Sequence, residues 1–367
     1  MIPSITVPTL LLDEHKVRRN IARMTDKIRG LGLTFRPHFK THQSAAVGEW
    51  FREAGVDRIT VSSLRMATYF AKAGWTDITN AFPVNILEMD RINDLAGTIK
   101  LQLIVENTDA IAALDQKLRH PVSLFIKLNA GNNRTGLLPA NTQEINRLVE
   151  RISQSDKLTF AGFLGHAGQT YQARGKEEIT RIHEASLQSL RPVVDQFRAD
   201  YPDLIFSYGD TPSGSTATDF PGVDELRPGN FVFYDLTQAT IGSCSLDDIA
   251  VAMACPVVSK HPDRQEVVVY GGGVHFSKDQ LERNGKTTFG QPVRWTDDGW
   301  KVVDDGQSYV RKLSQEHGVV RLSADLFRET NIGDILGIVP VHSCMTADLM
   351  KAYQTLDHAP VSMLSYV

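Results

Sequence analysis

Short β-rich segments alternate with helical stretches over the first two thirds of the chain. Strands that alternate with helices predict crossover units and a parallel sheet, and eight such units match a (β/α)8 barrel. An open doubly wound sheet is the alternative architecture. The predicted strands are residues 34–37, 59–62, 78–81, 101–105, 123–128, 160–165 and 205–208, with an eighth at 225–227 or 231–234.

The pattern changes near residue 249 to strand-like runs with turns and few helical stretches. A chain of 367 residues is long enough for two domains. We therefore predict a barrel domain at residues 13–245 and a second, mostly β domain at residues 246–367 together with residues 1–12. The strands predicted in the second domain are residues 249–258, 266–270, 291–295, 300–303, 319–322 and 335–340.

Charge and cysteine content exclude several classes of protein. The formal net charge is −4 and no block of like charges stands out, so we expect no nucleic-acid partner. Three cysteines are too few for a disulfide framework in a chain of this length. The first residues lack a basic segment, and no apolar run approaches the roughly 18 to 20 residues of a membrane span. We expect a cytoplasmic protein with no membrane partner.

The segment Phe35-Arg-Pro-His-Phe-Lys-Thr-His runs from the first predicted strand into a loop. Catalytic groups of barrels lie at the C-terminal ends of the strands. In an extended chain Arg36, His38, Lys40 and His42 would project in the same direction. An amine near other cations loses proton affinity and becomes nucleophilic, so Lys40 is a candidate Schiff-base lysine. A solvated surface lysine is the alternative interpretation.

A second candidate site lies near the C-terminus, in Pro340-Val-His-Ser-Cys-Met-Thr-Ala-Asp. His342 and Cys344 are two positions apart, so in an extended segment an imidazole and a thiolate project from one face. Both groups are suitable zinc ligands, and an open catalytic site could complete its shell with water or substrate. A buried structural histidine beside an inert cysteine is the alternative.

Loops after three further predicted strands carry polar residues that could bind a ligand. Arg134 could face an anionic oxygen at the barrel mouth, or it could be a surface guanidinium. His166 and Tyr171 lie among small residues after the sixth strand. Tyr208-Gly-Asp-Thr-Pro-Ser-Gly-Ser follows the seventh strand, where barrels often bind phosphate through backbone N–H groups. A simple loop closure is the alternative for this segment.

Seven segments in this order resemble the D-serine dehydratase and D-threonine aldolase family of fold-type III pyridoxal-phosphate enzymes. The barrel of that family is similar to the N-terminal domain of alanine racemase. The resemblance covers nearly the whole chain. The segments are Thr9-Leu-Leu-Leu-Asp, Arg36-Pro-His-Phe-Lys-Thr-His, Asn133-Arg-Thr-Gly, His166-Ala-Gly-Gln-Thr-Tyr, Gly209-Asp-Thr-Pro, Glu225-Leu-Arg-Pro-Gly-Asn-Phe-Val-Phe-Tyr-Asp and His342-Ser-Cys.

The resemblance implies a role for each candidate residue. Lys40 would carry pyridoxal 5'-phosphate and act as the catalytic residue. Arg134 would lie near the phenolic oxygen of the cofactor and Tyr171 near its ring nitrogen, while the amides of residues 209–211 would take the phosphate. His342 and Cys344 would bind the metal. The full set of implied cofactor-binding residues is Lys40, Arg134, His166, Tyr171, Tyr208, Gly209, Asp210, Thr211 and Tyr234.

The implied activity is that of a lyase on a D-β-hydroxy amino acid. Elimination of water from a substrate of the D-serine or D-threo-3-hydroxyaspartate type would give a 2-oxo acid and ammonia. A D-threonine aldolase that releases glycine and an aldehyde is the alternative, followed by a racemase or a non-enzymatic cofactor carrier. The resemblance also implies a homodimer.

Two positions depart from patterns within the family. Aldolases tend to carry aspartate where this chain has Cys344. A thiolate is softer than a carboxylate, which favours Zn²⁺ over Mn²⁺ or Mg²⁺ and points to a dehydratase. Gln169 stands where dehydratase-type members often carry histidine.

Overall fold

The computed structural model describes residues 5–365, which form two compact units. The barrel unit comprises Arg23–Lys40 and Gly48–Gly229. The β unit comprises Thr41–Val47 and the described parts of Met1–Ala22 and Asn230–Val367. The domain bounds proposed from the sequence, 13–245 and 246–367 with 1–12, stay a prediction.

Eight parallel strands form the sheet of the barrel unit, as the alternating pattern predicted. The first strand pairs with the last, since Thr34 lies opposite Glu225, and its continuation pairs with the second through a bridge between His38 and Thr60. The sheet therefore closes into a (β/α)8 barrel. The eighth strand is the first of the two predicted alternatives. The strands are Thr34–Phe35, Ile59–Val61, Asp77–Pro83, Lys100–Val105, Val122–Lys127, Leu158–Leu164, Ile205–Tyr208 and Glu225–Leu226.

Helices with buried apolar faces connect these strands. The helix Thr142–Ser153 buries Ile145, Leu148, Val149 and Ile152, which share one face because they are three or four residues apart. Side-chain caps set where several helices begin: Ser63, Asn107 and Asn141 each accept a hydrogen bond from an amide of the first turn. The helices are Glu14–Gly30, Ala45–Glu53, Leu64–Lys72, Met89–Ala96, Thr108–Lys117, Thr142–Ser153, Lys176–Arg198 and Thr211–Thr216.

A chain of buried hydrogen bonds links the strands of the barrel. Glu225 accepts from Arg36 Nε and from Ser207 Oγ, each at 2.6 Å. Ser207 Oγ accepts in turn from Arg227 Nε at 2.6 Å. Arg36 also pairs with Asp77 at 2.5 Å between Nη1 and Oδ1. Charged side chains with exposures near 1 % are tolerated here because each has a partner of opposite charge or a hydrogen bond.

This network predicts a large loss of stability in the variant Arg36→Met. The substitution keeps much of the side-chain volume but removes the cation shared by the buried carboxylate of Glu225 and the partly buried carboxylate of Asp77. Breaking a buried ion pair by removing one partner costs about 3–5 kcal/mol. We expect that decrease in the free energy of unfolding, measured by urea denaturation. Arg119→Met, at an exposed ion pair, is the control and should change it by about 1 kcal/mol or less. A loss as small as that of the control would contradict the role given to Arg36.

The β unit is built on a ten-stranded, mainly antiparallel sheet and a separate two-stranded hairpin. The six strands predicted for this region are present, with ends shifted by up to three residues. The sequence pattern missed the N-terminal strand, the hairpin, and three short strands nearer the C-terminus. The strands are Thr9–Leu12, Val251–His261, Glu266–Tyr270, Leu281–Arg283, Lys286–Thr288, Gly290–Thr296, Gly299–Val302, Tyr309–Leu313, His317–Arg321, Ile335–Pro340, Ala352–Thr355 and Pro360–Ser362.

Short helices complete the β unit. The helix Ser343–Met350 follows the central strand Ile335–Pro340 directly, with His342 at its N-cap. The others are Leu236–Thr240, Gly273–Phe276 and Ala324–Glu329, with 3-10 turns at Asn230–Val232 and Leu246–Asp248. Across residues 5–365, each helix is either too short or too polar to cross a membrane.

Candidate active site

Basic side chains converge at the C-terminal ends of the barrel strands. Lys127 ends one strand, and His166 and Arg227 closely follow the ends of two others. Burial lowers the pKa of His38 well below its usual value, and the charges of Lys40, Arg227, His166 and Arg134 lower it further. The groups that share this electrostatic field are His38, Lys40, Lys127, Arg134, His166 and Arg227.

The field at the barrel mouth is unbalanced toward positive charge. Burial lowers the pKa of Lys127 to about 7, with help from Arg227 and Arg134 and against the opposing charge of Glu106. Burial also lowers the pKa of His166 to about 3, again helped by neighbouring cations. A dianionic phosphate ester would relieve this repulsion. The charge distribution therefore fits the pyridoxal phosphate that the family resemblance implies.

Lys40 is exposed, in a turn immediately after the first barrel strand. Its backbone N–H lies 3.3 Å from His38 Nδ1. The prediction that Arg36, His38, Lys40 and His42 project together is wrong, because extended pairing ends at His38 and residues 39–42 form turns. Arg36 instead pairs with two carboxylates of the barrel strands, and His42 is buried in the β unit. The assignment of Lys40 as cofactor-binding residue stays a prediction.

The loop after the seventh strand lies against two of the other predicted cofactor-binding residues. His166 Nδ1–H donates to the Gly209 carbonyl at 2.6 Å, and the Thr211 amide donates to the Tyr171 hydroxyl at 3.2 Å. Asp210 caps the short helix that begins at Thr211. Gly209 has φ of 145°, and a Cβ at this position would lie 2.8 Å from the Arg227 amide nitrogen. The phosphate segment predicted from sequence thus lies beside His166 and Tyr171.

The two remaining predicted tyrosines are both buried. The ring of Tyr208 is fully buried against the helix Lys176–Arg198, with its centroid 5.8 Å from that of His183. Any contribution of Tyr208 to cofactor binding would therefore come from its backbone. Tyr234 belongs to the β unit, where it is buried with a left-handed φ of 49°. Both assignments stay predictions.

Arg134 lies in a loop that side-chain hydrogen bonds hold in shape. Asn129 Oδ1 accepts from the amides of Gly131 and Asn133 at 2.9 and 3.2 Å. Gln169 Nε2 donates to the Ala130 carbonyl at 2.6 Å. The sequence did not assign a role to Gln169. In the structure its hydrogen bond links this loop to the segment that carries His166.

Sequence reasoning did not assign roles to Lys127 and Arg227. Lys127 is 5 % exposed, and its Nζ donates to the Leu128 and Leu164 carbonyls at 3.1 and 3.4 Å. Arg227 is 4 % exposed, with Nη2 donating to the Gly165 carbonyl at 2.6 Å. The available signal was their strand-end position, because a charged residue that ends an otherwise apolar strand points to the barrel mouth.

His342 and Cys344 lie together in the β unit. Cys344 occupies the first turn of the helix Ser343–Met350, where the positive end of the helix dipole favours a thiolate. Its Sγ lies 3.4 Å from Asn230 Nδ2 and 3.2 Å from Thr41 Oγ1. The His342 ring hydrogen bonds to Cys344 as well as to Asp279.

This pair fits an open metal site rather than a closed one. Imidazole and thiolate are both zinc ligands. Among the residues that the structure describes, no group of three or more His, Cys, Asp or Glu side chains is arranged to hold a metal ion. Two protein ligands would leave positions for water and substrate, as a catalytic metal requires. The metal-binding role of the pair stays a prediction.

Buried neutral histidines predict a loss of stability in acid. Burial lowers the pKa of His42 to about 3, so between pH 6.5 and 3 the unfolded chain binds a proton that the native chain does not. That difference lowers the free energy of unfolding by about 3 kcal/mol at pH 4.5. The depressed pKa of His166 lowers the free energy of unfolding in the same way. Burial raises the pKa of Asp210 to about 6, so this carboxyl binds a proton in the native chain before it does in the unfolded chain. Its protonation therefore raises the free energy of unfolding by about 2 kcal/mol over the same interval.

We expect the net free energy of unfolding to fall by several kcal/mol from pH 7 to pH 4.5. Urea denaturation across that range measures it. His42→Asn keeps an acceptor for the Ser44 amide, 3.2 Å from His42 Nδ1, but does not titrate. Its curve should be flatter than that of the wild type. Identical pH dependence in the two proteins would rule out His42 as a source of the effect.

Comparison with known proteins identifies the family of this fold. Residues 12–236 match the family model of the alanine racemase N-terminal domain, and residues 250–356 match that of a serine dehydratase domain. The chain belongs to the alanine racemase N-terminal domain family, with the barrel fold of its fold-type III enzymes. It is a pyridoxal-phosphate-dependent lyase.

Three relatives are similar over nearly the whole chain. D-threo-3-hydroxyaspartate dehydratase of Delftia sp. (strain HT23) is 29% identical, covering 96% of this chain and 94% of that protein. D-serine dehydratase of Dictyostelium discoideum is 26% identical, covering 97% and 95%. 3-Hydroxy-D-aspartate aldolase of Paracoccus denitrificans (strain Pd 1222) is 24% identical, covering 95% and 88%.

The solved structure of the Delftia dehydratase has the same fold. It superposes with a TM-score of 0.89 at 26% identity, covering 98% of this chain and 97% of that one. Further structures of that enzyme carry alanine in place of a histidine and of a cysteine two positions apart, and the cysteine variant is in the metal-free form. The histidine and cysteine of the present chain have the same spacing.

Proposed function

We propose that this protein eliminates water from a D-configured β-hydroxy amino acid and releases a 2-oxo acid and ammonia. The observation that carries the proposal is the coexistence of a cationic barrel mouth behind Lys40 and a histidine–cysteine pair in the β unit. The full-length similarity to two dehydratases supports it.

Lys40 would bind the cofactor and then act on the substrate. The amine of this exposed side chain would hold pyridoxal phosphate covalently, with the phosphate at the amides of Gly209, Asp210 and Thr211, where the Thr211 amide would exchange its Tyr171 partner for the phosphate. Displaced by the substrate amine, Nζ would accept the α-proton. The cofactor, when bound, supplies an electron sink for the pair of electrons left on Cα.

The positive field would hold the cofactor and set protonation states around it. His166 and His38 are neutral at physiological pH because their pKa values are depressed. Arg227 keeps its charge, since burial lowers its pKa only to about 10. Arg134 would face an anionic oxygen of the cofactor. These residues would orient a planar anion without competing for the substrate proton.

His342 and Cys344 would hold a metal ion next to the substrate hydroxyl. The metal, when bound, supplies Lewis acidity that makes hydroxide a better leaving group. A racemase needs no such group, so the pair disfavours that reaction. The single-barrel carrier is disfavoured by the separate β unit.

The second candidate is cleavage of the Cα–Cβ bond to glycine and an aldehyde, supported by the similarity to a hydroxyaspartate aldolase. Product analysis of purified enzyme with D-serine, D-threonine and D-threo-3-hydroxyaspartate separates the two. We expect 2-oxo acid and ammonia as the main products. Release of glycine and aldehyde at a far higher rate than 2-oxo acid would establish the aldolase instead.

Three finer properties belong to the same proposal. Zinc is the expected metal because Cys344 offers a soft ligand, with manganese or magnesium as alternatives. We also infer a homodimer and a cytoplasmic location. Metal analysis, light scattering and fractionation of the producing cells test each of these separately.

A further inference from the structure

His342 has a carboxylate neighbour that lies 63 positions away in sequence. Its Nδ1 is 3.3 Å from Asp279 Oδ2, and both side chains are about two fifths exposed, at 41% and 44%. The same imidazole hydrogen bonds to Cys344. Nδ1 of the ring therefore faces a carboxylate, and the ring also contacts the cysteine.

The position of Asp279 is set by its own loop. Ser277 Oγ donates to Asp279 Oδ2 at 3.0 Å and accepts from the Asp279 amide at 3.1 Å. Ser277 is 8 % exposed and ends the helix Gly273–Phe276 with a left-handed φ of 71°. The turn presents the carboxylate in a defined orientation.

A carboxylate at Nδ1 decides which ring nitrogen is available to a metal. The carboxylate accepts a hydrogen bond, so Nδ1 carries the hydrogen and Nε2 keeps its lone pair. Histidine ligands of metals commonly donate their second N–H in this way, which fixes the ring and raises its basicity. Coordination through Nε2 leaves Asp279 on the side of the ring away from the metal.

Hydrogen bonds from neighbouring residues also fix the position of Cys344. Asn230 Nδ2 points at Cys344 Sγ and is itself held by Asp235 Oδ2 at 2.7 Å. The same carboxylate accepts from the Ser343 amide at 3.1 Å, at the start of the helix that carries Cys344. Both members of the pair are thus anchored by acidic residues outside the pair.

We propose that Asp279 is the positioning residue of the metal site, holding His342 in the tautomer that coordinates through Nε2. The proposal rests on the metal-dependent function proposed above and assigns a residue to it that the sequence motif does not contain. Asp279 would not touch the substrate or the metal, and would act only through the imidazole.

Zinc affinity of the cofactor-loaded enzyme tests the proposal. Chelator-treated protein is titrated with Zn²⁺ in competition with a chromophoric chelator. We expect Asp279→Ala to weaken Zn²⁺ binding about 10- to 100-fold. Asp279→Asn keeps an acceptor oxygen and should retain most of the affinity. Asp325→Ala, at an exposed ion pair in the same unit, should bind like the wild type.

A second readout follows the tautomer itself. Nitrogen-15 NMR of the zinc-loaded enzyme, with His342 assigned from the His342→Ala variant, should report hydrogen on Nδ1 in the wild type. Zinc binding by Asp279→Ala within twofold of the wild type would overturn the proposal, as would a His342 hydrogen on Nε2. If His342→Ala also binds zinc normally, the metal site itself is misassigned, so the two failures are distinguishable. Equal thermal unfolding midpoints verify that the variants are folded.

Discussion

Lys40→Ala should lose covalently attached pyridoxal phosphate and about 10³-fold or more in turnover. The substitution removes both the amine that would hold the cofactor and the group that would accept the α-proton, and loss of a general base alone typically costs 10²–10⁴-fold. Purified wild-type protein should be yellow, and borohydride should fix the cofactor onto a peptide containing Lys40. Lys72→Ala, another exposed lysine of the barrel unit, should behave as the wild type.

The structure shows a second lysine that could carry the cofactor, which the sequence did not suggest. Lys127 also lies at the barrel mouth, and a pKa of about 7 makes its amine a competent nucleophile. Its Nζ, however, donates to two backbone carbonyls, and the residue is 5 % exposed, whereas Lys40 is exposed. Peptide mapping after reduction decides between them. Cofactor fixed on Lys127 would refute the assignment of Lys40.

Cys344→Ala should lose the metal and most of the activity while keeping the cofactor. The sulfur is one of two proposed ligands, and a Lewis acid at the leaving hydroxyl supplies several kcal/mol of transition-state stabilisation. We expect turnover to fall by roughly 10³-fold. The absorbance of bound pyridoxal phosphate should remain, because the cationic groups that would hold it lie in the barrel unit. Metal analysis and absorbance spectra measure the two properties separately.

Two variants sharpen this result. Cys244→Ala removes a different cysteine of the β unit and should keep both metal and activity. Cys344→Asp replaces a soft ligand by a hard one, so the preferred metal should shift from zinc toward manganese, with a larger share of aldehyde product. A metal-free enzyme that turns over β-hydroxy amino acids at full rate would exclude the metal from the reaction.

Local sequence pattern was sufficient to predict the architecture. The strand runs at 101–105 and 205–208 correspond to Lys100–Val105 and Ile205–Tyr208, because apolar strands between helices leave few other ways to bury both faces of a sheet. His342 and Cys344 were expected on one face of an extended segment, but a helix carries Cys344 and His342 is its N-cap; their side chains are nevertheless in contact. The short strands Tyr309–Leu313 and Ala352–Thr355 were missed because each has only two buried residues, too few for a clear apolar run.

The prediction from alternating positions in residues 36–42 failed because the backbone is not extended beyond His38. Residues 36 to 42 were expected to present four side chains together, but turns begin after His38. Arg36 became part of the buried ion-pair network with Glu225, nearly two hundred positions away. No local pattern reveals such a partner, since barrel closure brings the first and last strands together.

The amino-acid sequence on its own determined a (β/α)8 barrel, a mostly β second region, a lysine just after the first barrel strand and a histidine and a cysteine two positions apart. Tertiary structure alone decided the surroundings of each group: the cations around His38, the tether from Gln169 to Ala130, and the carboxylate of Asp279 at His342. Periodicity specifies the face on which a side chain lies. Electrostatic fields and hydrogen bonds instead depend on distances between residues remote in sequence, which strand order and register set only once the chain has folded.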